Sequence, residues 1–249
     1  NIARKIADAL QLEKPAVTIE VGPGKGVLTK FLIPKSDALL CVEIDQKLAE
    51  VLPSRLDNPQ NLTVIKEDIL DWDLEEALQS FSGYHKGIIG NLPYHITSPI
   101  LFKVLKYSHV FEQAVFTIQK EVAQRICAPP GSKTYGIISV FCQFYAEVKY
   151  LFSIPSHLFS PAPKVDSGVI RLQFLKSEEN RLLNATLFRE LVRHTFGQRR
   201  KMLRNTLSVL YPSSILDKLQ LDLTRRPESL SVDEFVDLAN QLQTLQMHK

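Results

Sequence analysis

The chain has 249 residues and no apolar run of about 18, so no segment of it reads as a membrane-spanning helix. Its three cysteines, Cys41, Cys127 and Cys142, are odd in number, sit among apolar neighbours and show no Cys-x-x-Cys spacing. That excludes a disulfide framework and fits reduced core thiols in a reducing compartment, the cytoplasm or, after loss of a targeting segment, an organelle. The six histidines include no His-x-x-x-His pair and no cysteine at ligand spacing, so no metal is expected. There is no Gly-x-Ser-x-Gly, which removes the hydrolase nucleophile elbow, and there are no repeats or low-complexity segments. Net charge is only +3, but it is unevenly placed: residues 176–249 hold 12 Lys+Arg against 9 Asp+Glu, while residues 1–175 balance at 18 of each. An acidic partner is expected at the tail. An initiating Met is also lacking; Asn1 to Ile6 reads as an amphipathic helix rather than a signal peptide, and an upstream piece is expected to be missing.

What is present from residue 17 onward is an alternation of short β-branched or apolar runs (17–21, 39–42, 62–65, 88–90) with amphipathic stretches beginning near 27, 46 and 74. This predicts βαβ units and a parallel, doubly wound α/β sheet covered on both faces. A helix follows from Pro99 with Ser98 as its expected N-cap, then a strand over 114–118 and a helix over 119–127. Two strand-like runs, 143–153 and 165–174, are joined by a proline-rich stretch without a helix and are expected to pair antiparallel. Beyond Phe174 the period turns helical, over 186–195, 201–210, 214–219 and 232–245. The division expected is 1–175 as the sheet domain and 176–249 as a small all-α domain.

The first strand runs into Glu20-Val-Gly22-Pro-Gly24-Lys-Gly26 and opens a helix. Glycine allows a tight turn and close approach of a ligand, and a helix N-terminus adds N–H donors. Such a turn fits a nucleotide site or a purely structural bend. Glu43 ends the second strand 21 residues after Gly22, near the offset at which a carboxylate receives ribose hydroxyls, and Asp68 follows the third. Glu67 reads as a solvated strand-end acid. Glu20, two residues before the first glycine, would repel a pyrophosphate but suits a ligand carrying a cationic centre or an amino group. S-adenosylmethionine has both.

Asn91-Leu92-Pro93-Tyr94 closes the fourth strand at the same sheet edge. An exocyclic adenine amine is a poor nucleophile because its lone pair is delocalised into the ring. The Asn91 side-chain oxygen and the Leu92 carbonyl can accept its N–H bonds and aim the lone pair at a methyl donor, while Pro93 fixes the turn and Tyr94 offers a face for an everted base. The alternative is a strand-terminating turn, since Asn and Pro are both common in turns.

Taken together, Glu20 to Gly26, Asn91 to Tyr94, Gln119-Lys-Glu-Val122, Phe159-Ser-Pro-Ala-Pro-Lys-Val-Asp-Ser167 and Gln198-Arg-Arg-Lys201 with Leu203-Arg-Asn205 resemble the small-subunit ribosomal RNA adenine N6,N6-dimethyltransferases of the KsgA type, in order and over nearly the whole chain. The resemblance implies a class I methyltransferase (Rossmann-like) fold, S-adenosylmethionine as donor, and two adjacent adenosines near the 3′ end of 16S rRNA, in an immature small subunit, as acceptors, with the protein acting as a monomer. It places Gly22, Gly24, Glu43, Asp68 and Asn91 at the cofactor, Asp68 on the adenine amine and Glu43 on the ribose, with Ile44 and Ile69 as apolar walls. Phe159 is implied as the stacking partner of Tyr94. Two positions depart from the family: its opening Gln-Asn-Phe-Leu segment is not in this chain, and His95 stands where relatives often carry Asn or Gln.

In this reading the basic tail meets RNA: Arg189, Arg193, Arg199, Arg200, Lys201 and Arg204 crowd one short span, broken at Phe196-Gly197-Gln198. The competing readings are a related assembly or transcription factor with little turnover, the large-subunit enzyme of macrolide resistance, which shares the Asn-x-Pro-Tyr core, and a nicotinamide dehydrogenase, disfavoured by the glycine spacing.

Overall fold

The computed structural model describes residues 2–176 and 178–247. The chain forms two compact units, one running to Gln124 and resuming over Ala146–Lys176, the other taking Arg125–Tyr145 and the described residues beyond 177.

In the first unit β1 (Ala16–Val21), β2 (Ala38–Val42), β3 (Leu62–Ile65), β4 (His85–Asn91), β5 (Gln113–Gln119), β6 (Ala146–Ile154) and β7 (Ser167–Phe174) make one sheet in the order β3-β2-β1-β4-β5-β7-β6. β1 to β5 pair parallel, and β7 pairs antiparallel with both β5 and β6. All six residues of β1 are buried, as a near-continuous apolar strand covered on both faces must be. The chain steps from β1 to β2 and β3 on one side, then crosses from β3 back past β1 to β4 and on to β5 on the other, and right-handed crossovers put the helices of the two halves on opposite faces. On one face Ile6 and Ala7 of the helix Ile2–Ala9, Leu32 and Leu52 close over Leu39, Cys41, Ile89, Val115 and Val169. The order reverses between β1 and β4, which opens a crevice at the carboxyl ends of those two strands.

Asp45 and Asp73 each accept two backbone N–H bonds and start the helices Gln46–Arg55 and Leu74–Leu78. Ser98 is not the cap expected of it. The helix after β4 is Thr97–Lys106 with Ile96 as its uncapped start, because the Pro93 carbonyl takes both the Ile96 N–H and the Thr97 hydroxyl and closes the turn earlier. The expected strand over 143–153 is also corrected. Residues 143–145 finish a helix, Ile137–Tyr145, and β6 begins only at Ala146. That helix is short and rich in apolar and aromatic residues (Ile-Ile-Ser-Val-Phe-Cys-Gln-Phe-Tyr), so its last residues cannot be told from the start of the strand that follows.

The second unit is built on aromatic rings. Phe144 and Phe141 of that same helix pack on Phe188 at 4.8 and 6.0 Å between centroids, and Phe196 of the helix Ala185–Gly197 meets Tyr135 at 6.1 Å and Phe235 at 5.8 Å. These contacts are why 125–145 groups with the C-terminal helices, which a single cut at residue 175 does not provide for. Asn184 caps Ala185–Gly197, and Ser231 with Glu234 forms a reciprocal capping box at the start of Val232–Met247.

Candidate active site

The turn after β1 is held by backbone and carboxylate together. Gly22 donates to Val42 O at 3.0 Å, Gly26 to Pro23 O at 2.9 Å, and Gly24 to Glu43 Oε2 at 3.0 Å. All three glycines have positive φ, between 56° and 79°, so no other residue fits without strain. They differ in what surrounds them. A Cβ at Gly26 would meet Leu52 Cδ1 at 2.9 Å, so this glycine serves packing, whereas Gly22 and Gly24 face open space. The second Glu43 oxygen accepts the Asp45 N–H at 3.0 Å. Glu43 is therefore a brace between the glycine turn and the end of β2 as well as a candidate ribose ligand, its remaining lone pairs being the ones left for hydroxyl donors.

Glu20 does not stand where a ligand can touch it. It is 1% exposed, beneath the turn, with Cys41 Sγ at 3.4 Å from Oε2. Burial pushes its carboxyl up to about 7; the neighbouring Thr29 hydroxyl and Cys41 thiol draw it back, and the Glu43 charge adds to the rise. The expected direct pairing with a cationic ligand is thus corrected: in β1 its side chain points to the covered face, where Cys41 lies opposite.

The other cofactor candidates stand at the strand ends. Ile44 is 67% exposed, an apolar side chain left open beside Glu43, and Ile69 is buried. Asp68 Oδ1 accepts the Leu70 N–H at 2.8 Å, and its carbonyl accepts from Asp71 and Trp72, so the loop after β3 winds tightly around this acid.

Asn91 is exposed at the end of β4. Leu92 is buried and donates to Thr117 O at 3.0 Å, anchoring the turn to β5. The turn is closed on the Pro93 carbonyl rather than on that of Leu92. Asn91, Leu92, Pro93, Tyr94, Phe159, Pro161 and Pro163 line an open cavity of about 280 Å³. The structure therefore brings together every residue expected to hold the acceptor base. It adds Ser167, fully buried, whose hydroxyl meets the Tyr94 hydroxyl at 2.9 Å. Asp166 ties the proline-rich loop down, accepting Ser156 N–H on its side chain and Lys120 N–H on its carbonyl. Phe159 is half buried and packs on the core at one end while lining the cavity. His95 is exposed.

Among the basic residues of the second unit, Arg193, Arg200, Lys201 and Arg204 are exposed, Arg193 over the Phe141 ring and Arg204 paired with Asp217 at 2.9 Å. Arg199 is not a free cation. Its Nη2 donates to the carbonyls of Lys133 at 2.7 Å and Ser132 at 3.3 Å, and its Nε lies 3.8 Å from Glu228. It is a tie inside the unit, with fewer donors left over for RNA than Arg200 has. No sequence signal separates it from Arg200; only the folding of 125–145 onto this unit does.

Among the described residues no group of His, Cys, Asp and Glu could hold a metal, and no helix is long and apolar enough to cross a membrane.

Residues 1–244 match the family model described as "Ribosomal RNA adenine dimethylase". The chain is 42% identical over 259 aligned positions to a ribosomal RNA small subunit methyltransferase A of Phocaeicola vulgatus, covering 100% of this chain and 87% of the relative. It is 38% identical over 245 residues to the protein of that name in Mycoplasma capricolum, covering 96% and 92%. Among solved structures it is similar to a dimethyladenosine transferase from Plasmodium falciparum (TM-score 0.85, 23% identity, 98% and 95% covered) and to the 23S rRNA methyltransferase ErmE (TM-score 0.73, 23% identity, 97% of each covered). At that identity the two structures speak for the fold: a Rossmann-like methyltransferase sheet.

Proposed function

The chain belongs to the ribosomal RNA adenine dimethylase family, and from that premise we propose that it moves methyl groups from S-adenosylmethionine to N6 of two adjacent adenosines near the 3′ end of 16S rRNA. Its substrate in this reading is an immature small subunit, met by a monomer in the cytoplasm. The observation that carries the reading is the cavity at the end of β4, where an exposed amide and two aromatic side chains line a space suited to a flat ring.

The residues present suit the cofactor: two positive-φ glycines with open space where a Cβ would stand, an exposed apolar wall at Ile44, and acids at the ends of β2 and β3. Gly22, Gly24, Glu43, Ile44, Asp68 and Ile69 would hold it, with Glu43 toward the ribose and Asp68 toward the adenine amine. Glu20 would act from below, through the turn. When bound, S-adenosylmethionine supplies an electrophilic methyl on a positively charged sulfur.

The rest falls to the chain. Tyr94 and Phe159 stack an everted adenine, and Asn91 Oδ1 with the Leu92 carbonyl accepts its N6–H bonds, turning the lone pair out of conjugation and toward the donor. Leu92, anchored on Thr117, and Pro93 hold these acceptors still before the base arrives. No side chain lining the cavity is a strong base. None is needed, because the methylated ammonium is acidic enough to lose its proton to water. Arg193, Arg200, Lys201 and Arg204 add phosphate contacts from the second unit.

The test is transfer of labelled methyl from S-adenosylmethionine to immature small subunits, mature small subunits, large subunits and naked rRNA, with the modified base mapped. Dimethyladenosine at adjacent positions in immature small subunits alone is the expected result. Label in the large subunit, or at another nitrogen, would overturn it.

A further inference from the structure

Lys103 stands outside every residue assigned above, yet it is bonded to the loop that carries Asp68 and Ile69. It lies in the helix Thr97–Lys106, which begins directly after the Asn91–Tyr94 turn. Its ammonium donates to two main-chain carbonyls of the loop after β3, Leu70 O at 2.8 Å and Trp72 O at 2.5 Å. Both belong to the turn wound around Asp68: the Leu70 N–H goes to Asp68 Oδ1, and the Trp72 N–H to the Asp68 carbonyl. The same loop then runs into Asp73, the cap of the helix Leu74–Leu78. Between β3 and that cap the loop is therefore held by Asp68 from inside and by one lysine from outside.

A surface lysine usually points into water, since its ammonium is strongly hydrated and its stem carries much rotamer entropy. This one is half buried, and burial lowers its basicity against the opposing pull of Asp71, Asp73 and Asp68. Its partners are carbonyl oxygens, so what it fixes is main-chain path rather than charge. A charged donor with two short bonds is the strong form of such a tie.

We propose that Lys103 is a positioning residue for the cofactor's adenine, setting the loop so that Asp68 can take the exocyclic N–H and Ile69 can wall the ring, and so linking the helix behind the acceptor turn to the donor site. The proposal rests on the reading of Asp68 as the adenine-amine ligand. A change at Lys103 should cost donor affinity and adenine selectivity while leaving the acceptor cavity intact.

Calorimetric titration of the purified protein with S-adenosylhomocysteine, and with its analogue bearing a 6-oxo purine in place of adenine, tests this. Wild type is expected to favour the adenine ligand, and Asp68→Ala to lose most of that preference. Lys103→Met is expected to weaken S-adenosylhomocysteine by roughly ten-fold, the scale of one hydrogen bond to a charged group, and to narrow the preference. Lys103→Arg, which keeps a donor at the end of a similar stem, is expected to recover part of both. In steady state Lys103→Met should raise KM for S-adenosylmethionine with kcat nearly unchanged at saturation. If Asp68→Ala leaves the preference intact, the assignment of Asp68 fails. If Asp68→Ala abolishes it and Lys103→Met, folded by circular dichroism, binds and discriminates like wild type, the proposal about Lys103 fails and the assignment of Asp68 stands. Should Lys103→Met not fold, Lys103→Gln with the same two ligands decides.

Discussion

Arg199 and Arg200 are neighbours in sequence and are expected to fail differently when truncated. Arg199→Ala removes two charged hydrogen bonds, to Lys133 O and Ser132 O, and leaves a Glu228 oxygen without its cation. Hydrogen bonds to charged groups contribute about 1.5–3 kcal/mol, and the longer of the two belongs at the bottom of that range or below it. The guanidinium is 36% exposed, so its ion pair is screened and adds less than about 1 kcal/mol. The sum is roughly 2–5 kcal/mol, which for a chain of this size lowers Tm by roughly 5–15 °C. Arg200→Ala, at an exposed side chain, should leave Tm within about 1–2 °C. RNA binding should divide the other way. Each phosphate contact contributes about 0.7–0.9 to the slope of log affinity against log salt, so the double change Arg200→Ala, Lys201→Ala should flatten that slope by roughly 1–2, and Arg199→Ala below its own melting range should not. The assays are differential scanning calorimetry and filter binding to small-subunit RNA across a salt series. A stable Arg199→Ala protein with a flattened slope would refute the assignment of this arginine as an internal tie.

Two further outcomes follow from the same geometry. Tyr94→Phe keeps a ring for stacking and gives up the bond to Ser167; it should retain single-turnover transfer within a few-fold, whereas Tyr94→Ala, losing a base–aromatic stack worth about 1–3 kcal/mol, should fall by ten-fold or more, and equal rates for the two would remove stacking from the account. Glu20 has its carboxyl raised from 4.5 to about 7, so its neutral form suits the fold: that contribution is complete below about pH 4.5 and is lost as pH rises through 7. Glu20→Gln should therefore match wild type in unfolding free energy near pH 4.5 and exceed it at pH 8, by about 3 kcal/mol at most, and a gap that is widest at the acid end would contradict the burial argument.

The sheet was readable where each strand is a short apolar run followed by a turn with its own chemistry. β1, β2 and β3 end on Val21, Val42 and Ile65 as their sequences indicate, and the glycines and acids after them mark the functional edge. Other boundaries carry no such mark. The helix Ile137–Tyr145 is short, apolar and continuous with β6, so its end reads as strand, and the grouping of 125–145 with the aromatic residues Phe188, Phe196 and Phe235 has no signal in the sequence. Side-chain direction was likewise beyond reach. Glu20 stands beside the glycine turn in sequence but faces Cys41 under it, and Arg199 sits in a basic run but turns inward to two carbonyls. Ser167 ends the Phe159 to Ser167 stretch, yet nothing local points to its bond with Tyr94, 73 residues away, and Lys103 carries no local signal at all, its partners lying about 30 residues away.

In the proposed transfer the amide at the end of β4 orients the acceptor amine. Asn91→Ala tests it most directly, in single-turnover transfer of labelled methyl to immature small subunits with donor saturating and with S-adenosylhomocysteine affinity and Tm measured alongside. The expected result is a loss of roughly 10²–10³ in rate, the usual scale for removing one preorganised hydrogen-bonding group at a reacting centre, in a protein that still folds. A variant that folds, binds the donor and methylates at the wild-type rate would contradict it.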